Sequence, residues 1–210
     1  MNEKQKKELF EKVNSYLGDS VAHGLEHTKN VLKNAIEISE KEGGDIDIIV
    51  AAAILHDVAN YKETKNGVEC HAIEGAKMAK DILGELDFPK EKIDAVCYAI
   101  KVHRKSTHTK PETKEAAIIQ DADRLDCLGI SLIVRFLQSS GKYGTPLYDS
   151  ESKNTEEHWS KKPAINHIIE KLEKNKPEKF NTEYARHVAR EKYDYALDFV
   201  NKFIKERGDI

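Results

Sequence analysis

Four side chains in this 210-residue sequence combine type and position in a way that could hold a cation. His56 and Asp57 stand together at the end of the run IDIIVAAAILHDVANY (46–61), which is apolar all round at its centre and reads as a buried helix. A carboxylate carried into such surroundings without a partner costs several kcal/mol, roughly, so the doublet demands a compensating group. His27 shares a helical face with Val31 and Ala35, and Asp123 shares one with Ala116, Ile119 and Cys127. Both are therefore expected to point inward. Two imidazoles and two carboxylates from three separate helices satisfy one another only by ion pairing or around a cation. The mixed nitrogen and oxygen set suits a first-row divalent ion that keeps open positions for water, not a closed structural zinc site. Adjacent residues on a helix diverge by about a quarter turn, which still lets His56 and Asp57 reach one ion at the helix surface.

The elements that must position these groups are helical. Apolar residues recur at helical spacing almost throughout, and strict alternation is nearly absent. The pattern predicts helices over 3–17, 25–42, 46–61, 69–85, 89–105, 113–127, 129–140, 155–174 and 180–207. Gly43-Gly44 is expected to end the second helix and Asp45 to cap the third. The breaker-rich segment Ser139 to Ser152 reads as a loop, more a connector than a lid. With no repeat and no low-complexity linker, one all-α domain over 1–210 is the simplest organisation. The 34 Lys+Arg and 37 Asp+Glu leave a net charge of −3, so no broad basic field exists to hold nucleic acid. The longest wholly apolar run, Ile48 to Leu55, is too short to span a bilayer, and the first residues lack an apolar signal region. Cys70, Cys97 and Cys127 show no CxxC spacing and read as small core residues of a reducing cytosol, which places the protein in the cytoplasm.

The order His27, His56-Asp57, Asp123 resembles the HD superfamily of metal-dependent phosphohydrolases, an all-α fold, and the gaps of 29 and 66 residues suit it. The surrounding text is similar to a branch of small, stand-alone bacterial members: HGLEH (23–27), LHDVANYK (55–62), ECHAIEGA (69–76), IKVHR (100–104), EAAIIQDADRLDCLG (115–129) and NHIIEKL (166–172). One departure is Asn30, where the family often carries an Arg three residues after its first metal histidine.

The resemblance implies hydrolysis of a small phosphorylated substrate, with a nucleotide, and conversion of a triphosphate to monophosphate and pyrophosphate, preferred. It implies His27, His56, Asp57 and Asp123 as ligands of one divalent ion, manganese preferred, with iron, magnesium, cobalt, nickel and zinc as the other candidates. Asp57, His103 and Lys62 are the expected catalytic residues. Lys62, His71, His103, Arg104, Arg124 and Arg135 are the expected substrate contacts, with Lys105 a further cation and Asp126 a support for the metal site. For each lone cation the alternative is an ordinary solvated or paired charge. His71 and His103 lie on inward stripes, and relatives with two metals use extra histidines there, often an adjacent pair that this chain lacks. His103 is therefore expected to bind phosphate or carry a proton, and His71 to do either or fill core. His108, His158 and His187 have no stripe to recommend them. Asn60 and Tyr61 stand where the guanosine tetraphosphate hydrolases carry an acidic pair. The competing readings are a phosphomonoesterase or cyclic phosphodiesterase on the same scaffold, a diiron oxygenase, and a non-catalytic helical module stabilised by metal. Neither nucleic acid nor membrane is an expected partner, and self-association is left open.

Overall fold

The computed structural model describes residues 1–17, 24–62, 70–104, 109–151 and 161–207. Every regular element among them is helical. The chain divides into two compact units, residues 1–123 and 124–210.

The first unit contains α1 (Glu3–Leu17), α2 (Leu25–Glu42), α3 (Ile46–Leu55), α4 (His71–Glu85) and α5 (Lys90–Val102), together with most of α6 (Lys114–Asp126). Helix α3 is its centre. All eight residues from Ile48 to Leu55 are buried, as expected for a helix apolar on every side, and α3 packs against α1, α2 and α5 while α4 packs on α5. Its start is set as the sequence predicts. Gly43 and Gly44 take positive φ (78° and 108°), and the Asp45 carboxylate accepts from the backbone N–H of Asp47 and Ile48. A second tie holds this corner, since the Asp45 N–H donates to Glu115 at 2.9 Å and Lys92 donates to both Asp45 and Asp47.

The predicted helix 46–61 does not run through. Regular α geometry stops at Leu55, the chain passes through a turn at 56–59, and helical geometry resumes at 60–62, with Val58, Asn60 and Lys62 donating to the carbonyls of Leu55, Asp57 and Ala59. Tighter i to i+3 bonds have replaced the α ladder, so the HD doublet sits on a helix terminus, where side chains fan outward. The predicted helices 69–85 and 89–105 also shorten, to His71–Glu85 and Lys90–Val102. Two side-chain amides hold the framework around the doublet. Asn34 on α2 donates to the Ala122 carbonyl at 3.1 Å, and Gln120 on α6 donates to the Val102 carbonyl at 3.1 Å. The first brings His27 and Asp123 to the same place; the second pins the end of α5 beside His103.

The second unit holds α7 (Gly129–Tyr143), α8 (Ala164–Lys174), a 3₁₀ turn (Pro177–Lys179) and α9 (Glu183–Arg207), with α7 packed on α8 and α9. Helix α7 runs through the start of the expected loop and ends at Gly144, which is left-handed. The residues just beyond it are tied to α8, since the N–H groups of Ala164 and Ile165 donate to the carbonyls of Pro146 and Leu147. The predicted helix 155–174 begins in segment 152–160, outside the described residues, and is present from Ala164. The predicted helix 180–207 is present from Glu183 as α9, and the 3₁₀ turn lies just before its expected start. The three cysteines form no disulfide and are half-buried, not core residues as expected. No helix among the described residues is long and apolar enough to cross a membrane.

His167 on α8 is buried with its ring 4.0 Å from that of Phe136. Burial, and then the nearby Lys171 ammonium, hold its pKa at about 4, against an ordinary 6.5. Between these values the unfolded chain binds a proton that the folded chain refuses. The stability tied to neutral His167 is therefore complete above about pH 6.5 and is lost as pH falls toward 4. Melting followed by circular dichroism at pH 7.5 and pH 5 should show a smaller acid-induced drop for His167→Leu than for the wild type. Equal drops would remove His167 from the acid response.

Candidate metal centre

His27 lies in the first turn of α2 with Val31 and Ala35 behind it, both fully buried. His56 caps the C-terminus of α3 and is itself fully buried, and Asp57 follows at 3% exposure. His71 opens α4, His103 caps the C-terminus of α5, and Asp123 stands near the end of α6. The stripes that pointed inward in the sequence thus converge, and all six side chains meet in the first unit.

The ring orientations are set by backbone carbonyls. His56 Nδ1 lies 2.8 Å from the Ala53 oxygen and His103 Nδ1 lies 2.7 Å from the Ile100 oxygen. A carbonyl only accepts, so both Nδ1 atoms carry hydrogen and both Nε2 atoms present lone pairs. This is the tautomer that a metal-binding histidine uses, with the N–H on the far side fixing the ring.

The electronegative atoms gather around Asp57. His27 Nε2 lies 3.1 Å from His56 Nε2, 3.3 Å from Asp123 Oδ1 and 3.7 Å from Asp57 Oδ2, and His56 Nε2 lies 3.6 Å from the same Asp57 oxygen. Four electronegative atoms this close require positive charge between them. A proton serves two of them at a time; a divalent cation serves all four. Ligands about 2.1 Å from an ion in cis octahedral positions are about 3.0 Å apart, and tetrahedral ones slightly farther, so the observed spacing fits a divalent metal. The other Asp57 oxygen, Oδ1, faces His71 Nε2 at 3.0 Å and His103 Nε2 at 3.7 Å. Asp57 is thus common to two groups of candidate ligands, one with His27 and His56 and one with His71 and His103.

The electrostatics favour the same use. Burial pushes the His56 pKa down to about 4 against the opposing pull of Asp57, so the imidazole is neutral near pH 7. Burial raises the Asp123 carboxyl, but the hydrogen bond from His27 and the neighbouring imidazoles lower it further, well below the usual carboxylate range. Asp123 is 23% exposed, so this carboxylate lies on the open side of the cluster and Asp57 on the closed side.

The expected cations are placed differently from the histidines. Lys62 donates to Glu74 Oε1 at 2.6 Å, and this bond holds the ammonium pKa above and the carboxyl pKa below their ordinary values. Arg104 is half-buried with a guanidinium nitrogen 3.9 Å from the Cys70 sulfur. Arg124 and Arg135 are engaged in the second unit. Buried Arg124 donates to Asn175 Oδ1 and the Lys179 carbonyl and stacks over the Phe180 ring at 4.1 Å. Arg135 donates to Asp126 at 2.5 Å and to the Cys127 sulfur, so Asp126 serves that ion pair. His187 pairs with Glu191 on the surface of α9. His23, Lys105, His108 and His158 lie outside the described residues.

Glu74 was missed in the sequence, although its place one turn after His71 on an inward stripe is a usable signal. The stacked rings of Tyr16 and Tyr61 were missed too, because the two residues are 45 positions apart and no local pattern links them.

Comparison with known proteins gives the fold and cluster a context. The HD domain family model matches residues 24–128, a span that contains all six clustered side chains. YpgQ of Bacillus subtilis (strain 168), an uncharacterized protein, is 31% identical over 208 residues, which is 97% of this chain and 94% of YpgQ. The crystal structure of an HD-superfamily hydrolase from Bacillus thuringiensis is similar at a TM-score of 0.75 and 30% identity, over 97% of this chain and 96% of that one. The crystal structure of B. subtilis YpgQ in complex with ADP is similar at a TM-score of 0.72 and 26% identity, over 97% and 95%. With the HD domain model matched over half of the chain and a buried histidine–aspartate cluster inside that span, the chain belongs to the HD superfamily of metal-dependent phosphohydrolases.

Proposed function

We propose that this protein hydrolyses a phosphoanhydride bond of a small nucleotide, converting a nucleoside triphosphate to monophosphate and pyrophosphate, with one divalent ion, manganese preferred, held by His27, His56, Asp57 and Asp123. The observation that carries this reading is the convergence of His56 Nε2, Asp123 Oδ1 and Asp57 Oδ2 on His27 Nε2, at 3.1, 3.3 and 3.7 Å, around a nearly fully buried Asp57. Support for a nucleotide comes from the ADP complex of YpgQ. Three cysteines without a disulfide support a reducing, cytoplasmic setting.

When bound, the ion would polarise a phosphoryl oxygen and lower the pKa of a water at the site. The protein's own groups do the rest. The Ala53 carbonyl keeps His56 Nε2 aimed at the cluster. His71 Nε2 lies 3.0 Å from Asp57 Oδ1, on the other oxygen from the one that faces His27 and His56. His103 presents its Nε2 lone pair on the same side and can take a proton there, its Nδ1–H being committed to Ile100. Lys62, with Arg104, supplies positive charge toward the substrate phosphates, and Glu74 keeps the Lys62 ammonium in place until phosphate competes for it. Arg124 and Arg135 have no part in this reading, since their partners in the second unit account for them.

A second reading rests on one observation, the two oxygens of Asp57 facing different pairs of histidines. There Asp57, His71 and His103 would hold a second ion beside the one held with His27 and His56. Elemental analysis of the purified protein is expected to find about one divalent ion per chain; two at full occupancy would select the two-ion reading. His103→Ala should slow turnover by about 10²–10⁴-fold while changing metal affinity little, and metal loss equal to that of His27→Ala would make His103 a ligand.

The substrate class is tested by incubating nucleotides with several divalent ions and resolving phosphate from pyrophosphate. Pyrophosphate from a triphosphate is the expected product; orthophosphate released from nucleoside monophosphates, with no pyrophosphate from triphosphates, would reassign the protein as a phosphomonoesterase.

Asp57→Asn keeps size and removes charge. Its activity and metal affinity should fall by orders of magnitude. Ion binding to the folded state should raise the melting point of the wild type, by about 2.7 kcal/mol of stability when the free ion is about 100 times its Kd. Without metal, Asp57→Asn should melt no lower than the wild type, because a buried charge has gone. Full activity and an undiminished metal-dependent shift in Asp57→Asn would exclude the doublet as the metal site.

A further inference from the structure

The aromatic rings nearest the doublet along the chain do not belong to the apolar core. Tyr16, in the last turn of α1, and Tyr61, four residues after Asp57, stack with ring centroids 6.0 Å apart and planes 18° from parallel. Both are half-buried, whereas the large side chains wholly buried in the first unit are aliphatic: Leu9, Ile38, Ile49, Ile54, Leu55, Leu83, Ile100, Ile118 and Ile119 among them. Filling the core does not require the tyrosine pair. Its position is specific in another way. Tyr61 is followed directly by Lys62, whose ammonium donates to Glu74 at 2.6 Å. Three kinds of group therefore succeed one another: a pair of near-parallel π faces, a lysine ammonium, and a buried histidine–aspartate cluster one helical turn before the ring. A nucleotide presents their complements in the same order: a planar base, a phosphate chain, and the phosphoryl group that reacts.

We propose that Tyr16 and Tyr61 form a stacking platform for the base of a nucleotide, with Lys62 directed at its phosphate chain and the histidine–aspartate cluster at the phosphoryl group that is attacked. This rests on reading the cluster as a phosphohydrolase site. A platform of this kind recognises a π face and makes no hydrogen-bond readout of the base edge. It separates nucleotides from bare polyphosphates and accepts all bases, with purines ahead of pyrimidines because their face is larger. Each stacked base is expected to contribute about tenfold or more in affinity.

The test uses the full-length protein loaded with manganese. Calorimetry measures the binding of a non-hydrolysable adenosine triphosphate analogue and of inorganic tripolyphosphate to the wild type, Tyr61→Leu, Tyr61→Phe and Tyr16→Leu. Hydrolysis of adenosine triphosphate and of tripolyphosphate is followed in parallel. The wild type should bind the nucleotide about tenfold more tightly than tripolyphosphate. That ratio should collapse toward one in Tyr61→Leu, shrink in Tyr16→Leu, and survive in Tyr61→Phe, which keeps the ring and loses only the hydroxyl. A ratio near one in the wild type overturns the platform, as does a ratio unchanged in both leucine variants or an equal weakening of both ligands in them. The phosphohydrolase reading is judged by turnover alone. A wild type that shows the affinity ratio but hydrolyses neither compound refutes that reading and leaves the platform standing. Equal hydrolysis of both compounds with no affinity ratio does the reverse.

Discussion

A single carboxylate organises this protein. Asp57 is 3% exposed at the end of a helix whose preceding eight residues are all buried, and such a charge is tolerated only where the surroundings answer it. Four imidazoles surround it, two toward each of its oxygens, and a cation among them would answer the charge. Because those imidazoles come from α2, from the α3 terminus, from α4 and from α5, placing the charge and assembling the first unit are one problem. Packing alone would leave Asp57 buried and costly. The ring of nitrogens makes the same location selective for a cation.

The backbone arrangement makes that selectivity precise in direction. A helix terminus leaves carbonyls without intrahelical partners. Here the side chains of His56 and His103 use carbonyls one turn back, at Ala53 and Ile100, to orient their own rings. Each histidine therefore spends its donor on the helix that carries it and keeps its acceptor for the cluster. Stopping α3 at Leu55 is part of this arrangement. A continued α-helix would keep the doublet flush with a cylinder wall, while the i to i+3 turns after Leu55 carry Asp57 past the end of α3 and send Tyr61 and Lys62 onward from it.

The charges around the cluster fall into two kinds. Lys62 and Glu74 form an accessible pair whose members can exchange partners with a phosphate. Arg124 and Arg135 are engaged in the second unit, with a carbonyl, an aromatic face and a buried carboxylate as partners. A guanidinium so committed is a structural group, since leaving Asp126 or the Lys179 carbonyl without its donor would cost more than a solvent-exposed contact contributes.

Much of the site could be read from the chain alone. Helical periodicity showed which faces are apolar, so a polar residue on such a face, His27, His71, His103 or Asp123, was recognisable as inward-pointing without knowledge of its partner. The apolar run before His56-Asp57 identified the central helix, and Gly43-Gly44-Asp45 marked its start, because periodicity and capping depend on residues a few positions apart. The tertiary structure alone decided which groups answer one another. It put His71 on the far oxygen of Asp57, gave Lys62 to Glu74, removed Arg124 and Arg135 to partners in the second unit, and stacked Tyr16 on Tyr61. The reason is physical. The direction of a side chain from its own helix is a local property written into short spacings, whereas the partner it meets depends on how distant helices pack, and no short spacing encodes that.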